Sequence, residues 1–279
     1  MKIIRTNKAH ATQDGAGVNI SRIAGFDGRS LDPFLMIDEL KSDNKSDFMA
    51  GFPAHPHRGI ETFTYIRKGG FEHQDQMGNK KAIRAGDVQW MSTGRGVIHS
   101  EMPLADAEQG MHGFQIWLNM PAKDKMRPPR YQDTTEKKVP VLQNDTGIEL
   151  RALAGTWQLE QQSATSSINE LAGNGAIADV ILPTNTETTL DISAHSKAIV
   201  YIHSGSIADT EYVETYQFEV DPKAPLTLKA GERGLGVLVL VGEPIREKIA
   251  HMGPFVMNTQ EELHQAVRDY QMGRFGDIV

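Results

Sequence analysis

The sequence predicts an all-β protein built as two related halves and closed by one short helix. Three observations carry that expectation. Short runs rich in Val, Ile, Thr, Phe and Tyr recur between Gly, Asn, Asp and Pro breaks, the pattern of many short strands in a sandwich or barrel. The strand-and-turn stretch TFTYIRKGG from Thr62 has a counterpart in AIVYIHSGS from Ala198, and AGDVQWM from Ala85 has a weaker one in AGERGLG from Ala230. Helical periodicity shows mainly in NTQEELHQAVRDYQMG near the end, where Thr259 and Glu262 form a capping box. Leu263, Ala266, Val267 and Tyr270 follow at i, i+3, i+4 and i+7, and Gly273 ends the helix.

A chain of 279 residues is long enough for two domains or one large all-β unit. Hydrophobic residues at 39% and charged residues at 23% describe a folded soluble protein rather than a disordered one. With 36 acidic residues against 29 basic ones the net charge is -7, which argues against general binding to nucleic-acid phosphates. The polar, proline-rich stretch MPAKDKMRPPRYQD at 120–133 is expected to continue neither strand nor helix, so the domain boundary is placed there, giving 1–132 and 133–279. The N-terminus MKIIRTNKAHATQDG lacks the apolar core of a signal peptide, and the apolar run GLGVLVLVG at 234–242 is too short to span a bilayer. A cytoplasmic protein with no membrane association is the expectation.

The chain contains no cysteine, which removes disulfides, thiolate ligands, iron–sulfur clusters and cysteine nucleophiles together. Any metal must therefore be held by His, Asp or Glu. HPHRGIETF places His55 and His57 two residues apart, and on a strand such residues project to one face about 6–7 Å apart. Chance alone supplies roughly 0.4 such pairs in a chain of this composition. The second pair, His99-x-Glu101 in AGDVQWMSTGRGVIHSEMP, raises the signal: Gly86 and Asp87 read as a turn ahead of a strand and STGRG as a loop. If the two paired strands are neighbours, three imidazoles and one carboxylate converge; otherwise His99 and Glu101 are a surface pair.

Glu61 is the competing ligand, sharing parity with His57 if the strand runs on regularly. His73 and Asp75, beside a Met-Gly-Asn turn, read as a hairpin tip rather than ligands. His112 and Gln115 alternate into a strand that could line the same cavity and support the ligands from behind. Trp90 and Met91 are candidates for an apolar pocket wall. His10, His195, His203, His251 and His264 have no partner at ligand spacing and are read as surface or structural. Carrying the repeat back puts Asp191, Ser193 and Lys197 where the first half has His55, His57 and Glu61, so the chemistry is expected in the first half.

LDPFLMIDEL, GFPAHPHRGIETFTYI, GDVQWMSTGRGVIHSEMP, HGFQIWLNMPA and GPFVMNTQEEL followed by DYQMGRFG together resemble the pirin family, a branch of the cupins. The resemblance runs in order from residue 31 to residue 276. It implies two cupin-type β-barrels (a bicupin) facing each other, with one metal in the N-terminal barrel and none in the C-terminal one. It also implies that His55, His57, His99 and Glu101 are the metal ligands, whereas Glu61 matches a glutamate that many other cupins use and pirins generally do not. Ser92 stands where the general cupin pattern has Pro, which is pirin-like. Residues 156–200 resemble the family poorly, so nothing about substrate or partner contacts is carried over there.

Bacterial pirins resemble quercetin 2,3-dioxygenases, which implies a small planar aromatic substrate, O2 and release of carbon monoxide. Fe(II) is the first choice of ion for three imidazoles and a carboxylate, and Ni, Co, Mn, Cu or Zn fit the same donors. In that reading Glu101, the carboxylate of the proposed shell, takes the flavonol 3-hydroxyl proton. The alternative is an iron-dependent, redox-sensing protein that binds a regulatory partner, a transcription factor or a metabolic enzyme. A monomer is the family default.

Overall fold

The computed structural model describes residues 1–26 and 31–278. They form two compact units, one of Met1–His10 with Val139–Pro244 and one of Ala11–Lys138 with the residues from Ile245 onward. In chain order, β1 (Ile3–Lys8) is followed by β2 (His10–Asp14), β3 (Val18–Ala24), β4 (Phe34–Ser42), β5 (Phe52–His57) and β6 (Ile60–Lys68). Next come β7 (Gly70–Asp75), β8 (Lys80–Arg84), β9 (Val88–Ser92), β10 (Val97–Pro103), β11 (Met111–Asn119) and β12 (Arg130–Asp133). The later strands are β13 (Val141–Gln143), β14 (Glu149–Ala154), β15 (Thr156–Leu159), β16 (Gln162–Thr165), β17 (Ala176–Leu182), β18 (Glu187–Leu190) and β19 (Lys197–Ile207). β20 (Tyr216–Val220), β21 (Leu226–Gly242), β22 (Ala250–Met252), β23 (Phe255–Met257) and α1 (Gln260–Gln271) complete the chain. The all-β expectation with one terminal helix is met.

The unit around 139–244 is an antiparallel sheet in the order β1-β20-β19-β21-β17-β14-β13, with β18 also pairing β21. Alternate residues of neighbouring strands, Ala178 and Val180, Val200 and Ile202, Val237 and Val239, join one apolar core, as a period of two requires. Leu238 and Leu240 on the other face of β21 are buried as well, so the apolar run of the sequence is a strand covered on both sides. The weak echo from Ala230 lies inside this continuous strand rather than at a turn.

The unit around 11–138 has two sheets, β12-β9-β6-β11-β4-β3-β2 and β5-β10-β7-β8. Ile20, Leu40 and Ile66 from the larger sheet meet Phe71 and Ile83 from the smaller one in a shared core. The two units differ from the division expected at 132/133 in three respects, the first being that Met1–His10 goes with 139–244, where β1 pairs with β20. The prolines at 128 and 129 precede an edge strand rather than a linker: Arg130–Asp133 pairs with Gln89–Ser92 of β9. The segment carrying α1 packs with residues 11–138, because it completes the surroundings of the turn after His57.

That turn is the reason. Arg58 donates from Nη1 to Asp269 Oδ2 of α1 at 2.8 Å and stands 4.7 Å over the Phe275 ring. The capping box is present, with Thr259 Oγ1 accepting from Glu262 N at 3.2 Å and Glu262 Oε2 accepting from Thr259 N at 2.9 Å. Leu263 and Ala266 are buried as the periodicity predicts, but the next buried helix position is Asp269, not Tyr270, since the ion pair to Arg58 draws it inward. Lys125 is 1% exposed and donates to Gly59 O at 2.7 Å, Asn119 Oδ1 at 2.8 Å and Val256 O at 2.9 Å. Burial pushes its ammonium pKa down to about 8. Replacing it leaves three buried acceptors unpaired, so Lys125→Met is expected to lower the unfolding free energy by about 2–4 kcal/mol in urea titrations. An unchanged midpoint would show that these oxygens find other donors.

Candidate metal centre

β10 runs between β5 and β7 in the smaller sheet. On one side His99 is directly opposite His55 and Val97 opposite His57. On the other side His99 faces Asp75 and Glu101 faces His73. The two sequence pairs therefore do stand on neighbouring strands. A register shift between His99 and Glu101 on the β5 side displaces Glu101 from the position a regular ladder would assign it. Ring centroids lie 4.8 Å apart for His55 and His57, 4.4 Å for His55 and His99, and 5.0 Å for His57 and His99.

Hydrogen bonds select which nitrogen of each ring is available. His55 Nδ1 lies 2.7 Å from Pro53 O and His57 Nδ1 lies 3.3 Å from Pro254 O. A carbonyl only accepts, so both Nδ1 atoms carry a proton, and Nε2 is the nitrogen of each ring left to meet an ion. His99 is buried with neither ring nitrogen bonded, an arrangement that costs free energy unless something else occupies the space between the rings. Burial, and then the neighbouring charge of His55, hold the His57 and His99 pKa values well below the usual imidazole range. Converging imidazoles, with His57 and His99 buried and held neutral and the Nδ1 atoms of His55 and His57 bonded to carbonyls, fit a divalent ion.

Ligand-capable atoms of His55, His57 and His99 lie within 4.8 Å of one another, and so do those of His73, His99 and Glu101. His99 belongs to both groups. Glu101 Oε1 is 3.0 Å from Thr64 Oγ1, which is in turn 2.7 Å from Gln115 Oε1. His73 is not at a hairpin tip but fully buried on β7, with the tip formed beyond it by backbone donation from Met77 and Asn79 to Asp75 Oδ1. Both nitrogens of His73 are engaged, Nε2 with Asp75 Oδ2 at 3.0 Å and Nδ1 with Gln89 Nε2 at 3.2 Å. Unlike His99, it has no ring nitrogen to spare.

Glu61 stands apart from both groups. The parity argument fails because the chain turns at Gly59, whose φ of 81° places the site of an added Cβ 2.1 Å from Val256 O. Glu61 instead accepts from Trp90 Nε1 at 3.2 Å and from Arg127 Nη2 at 3.4 Å. Trp90 and Met91 are buried but are not among the residues lining the cavity beside the histidines. His112 is likewise absent from that lining and bonds Glu39 Oε1 at 2.8 Å, whereas Gln115 does line it. Of the remaining histidines, His203 is buried against Asp179 at 2.8 Å, and His10 and His264 are exposed.

The cavity has a volume of about 590 Å³, within the range that receives small organic ligands. His55, His57, His99 and Glu101 form part of its wall. Trp117 meets His57 edge-on at 5.0 Å and Phe26 at 6.5 Å, and Phe26 stacks on His251 at 3.6 Å with 4° between the planes. His251 is thus part of the cavity, which spacing in the sequence did not reveal. Arg22 donates to both Asp38 oxygens, at 2.9 and 2.8 Å, and to Asp14 at 2.9 Å within the same lining.

Residues 17–118 match the family model described as Pirin, and residues 177–276 match that of the Pirin C-terminal cupin domain. A Vibrio cholerae protein, by its name a candidate quercetin 2,3-dioxygenase, is 42% identical over 276 residues, covering 98% of this chain and 97% of the relative. A Pirin-like protein of Caulobacter vibrioides is 36% identical, covering 98% of each chain. Among solved structures, a quercetin 2,3-dioxygenase from Acinetobacter baumannii matches with a TM-score of 0.87 at 29% identity, covering 100% of this chain and 99% of that one.

The depressed histidines set a pH dependence for the metal-free protein. Below about pH 6.5 the unfolded chain binds protons that folded His57 and His99 refuse, so stability present above that pH is lost as pH falls. The expected slope is up to about 1.4 kcal/mol per pH unit for each residue, read from urea midpoints between pH 8 and pH 5. His57→Ala should flatten it, and an equal slope in that variant would remove His57 from the account.

Proposed function

This chain belongs to the pirin family and folds as two cupin domains, and from that premise we propose that it is a metal-dependent dioxygenase. The proposed reaction opens the central ring of a flavonol such as quercetin with O2 and releases carbon monoxide. The observation that carries this reading is the set of converging histidines in the wall of an aromatic-sided cavity of about 590 Å³. The names borne by the Vibrio and Acinetobacter relatives agree with it.

In this reading His55, His57 and His99 hold the ion through nitrogen and Glu101 through a carboxylate oxygen. Fe(II) is the first choice, with Ni, Co, Mn, Cu or Zn compatible with the same donors. When bound, the ion would supply a Lewis acid that lowers the pKa of a chelating hydroxyl and, where it is a redox-active ion such as Fe(II), a centre for reaction with O2. The protein's own groups do the rest. Glu101, buried and reached by the Thr64 hydroxyl, accepts the 3-hydroxyl proton at its carboxylate. Trp117 and Phe26 offer ring faces and edges to a planar substrate, and the apolar walls exclude water from its reacting ring.

The test is to load the protein anaerobically with Fe(II), admit O2 with quercetin, and follow flavonol loss together with carbon monoxide. Metal-dependent release that disappears in His57→Ala is the expected result. Bound metal and an intact fold without flavonol loss would overturn the dioxygenase reading in favour of a redox-dependent binding protein. Glu101→Gln should lower turnover by about 10²–10⁴-fold. Full metal with full activity in that variant would remove the base assignment.

A further inference from the structure

Thr64 sits on β6 in the larger sheet and Glu101 on β10 in the smaller one, so their 3.0 Å contact ties the two sheets together at the candidate centre. Thr64 is 4% exposed and Glu101 5%, so neither group can exchange this bond for one to bulk water without cost. Gln115 is directly opposite Thr64 across the β6–β11 ladder and lies 2.7 Å from the same hydroxyl. A hydroxyl has a single proton and cannot give it to both the Gln115 oxygen and the Glu101 carboxylate. Glu101 can only accept, and the two ends of the Gln115 amide are distinguished by their partners alone. Turning that amide lets its NH2 donate to Thr64 Oγ1 and frees the hydroxyl proton for Glu101 Oε1. All three groups are then satisfied in one direction: Gln115 to Thr64 to Glu101.

We propose that Thr64 and Gln115 are positioning residues for Glu101. The Thr64 hydroxyl fixes Oε1, which makes Oε2 the oxygen that meets an ion or a substrate proton. A carboxylate held at one oxygen can leave and regain an ion with the other by pivoting about the held one, without losing its place in the cavity. Gln115 fixes the direction of the Thr64 hydroxyl and so acts one step further away. The kinetic part of this inference rests on the dioxygenase reading, but the placement of Glu101 does not.

The experiment therefore reads the centre without turnover first. Thr64→Val, Thr64→Ser, Gln115→Leu, Glu101→Ala and the Thr64→Val/Glu101→Ala double variant are loaded with Co(II), and the visible absorption spectrum and the Co(II) dissociation constant are measured. Thr64→Val should fold with a melting temperature lowered by the unpaired Glu101 oxygen, shift the spectrum and weaken Co(II) binding by about tenfold or more. Thr64→Ser, which keeps the hydroxyl, should restore both, and Gln115→Leu should move both in the Thr64→Val direction by less. Once Glu101 is Ala, which has no oxygen to accept the Thr64 bond, adding Thr64→Val should change neither, because the effect runs through the carboxylate. With quercetin, Thr64→Val should lower kcat and leave KM unchanged.

An unaltered Co(II) spectrum and affinity in a folded Thr64→Val protein would overturn the proposal. So would a Thr64→Ser protein that behaves like Thr64→Val, or a full Thr64→Val effect in the Glu101→Ala background. If Thr64→Val does not fold, the Thr64→Ser and Gln115→Leu pair decides: a Gln115→Leu spectrum like that of the unsubstituted protein overturns the proposal. Failure of the unsubstituted protein to consume quercetin would end the dioxygenase reading while leaving these Co(II) measurements decisive for Glu101.

Discussion

The candidate centre depends on one three-strand pairing: β10 held on one side by β5 and on the other by β7. Antiparallel registry places His99 opposite His55, and the two-residue period of a strand then carries His57 to the same side. Both are needed for three imidazoles to converge. The register shift after His99 adds a further adjustment, since it detaches Glu101 from the β5 ladder while β7 still aligns it with His73. A one-residue slip in either pairing would turn alternate side chains to the wrong face and dissolve the site.

That pairing is supported from far along the chain. His57 takes its Nδ1 partner from Pro254, and the turn after it is closed by Val256, Lys125 and, through Arg58, Asp269. Each of these is a polar contact in a buried setting, which only an accurately placed partner can satisfy. The segment from Ile245 onward therefore belongs with residues 11–138 for a chemical reason: it provides the carbonyl that orients one imidazole and the carboxylate that neutralises the neighbouring guanidinium.

These contacts also mark what the sequence could and could not disclose. Strand periodicity, the capping box at Thr259 and the two His pairs were legible because each is a local pattern, readable within a few residues. The convergence of His55 with His99 could be framed only as a condition on strand adjacency, and the registry met it. His73 was misread because a Met-Gly-Asn turn close by suggested exposure, while the real tip begins at Asp75 and leaves His73 one pleat inside. Glu61 could not be excluded because its parity argument assumed a straight strand through Gly59. His251, Phe26 and Pro254 reach the cavity from both ends of the unit, and no spacing rule connects residues so far apart in sequence. Thr64 carries no signal at all: a Thr in a strand is ordinary β propensity until its hydroxyl is seen against Glu101.

The two units show why such a hydroxyl matters. In the unit around 139–244 the residues at alternate strand positions are Ala178, Val180, Val200, Ile202, Val237 and Val239, an apolar filling that stabilises without specifying chemistry. In the other unit a row of polar residues crosses five strands in direct register, Arg22 to Asp38, Asp38 to Gln115, Gln115 to Thr64 and Thr64 to Gln89. At about 4.8 Å per strand this row spans the sheet from the Arg22 end of the cavity to the histidines. Each polar side chain placed in a barrel interior costs stability unless its hydrogen bonds are made. A fold that needed only a core would fill these positions as its sibling unit does. Retaining them on the sheet facing Glu101 and His73 is the local departure from good packing that a functional site leaves in an otherwise consistent structure.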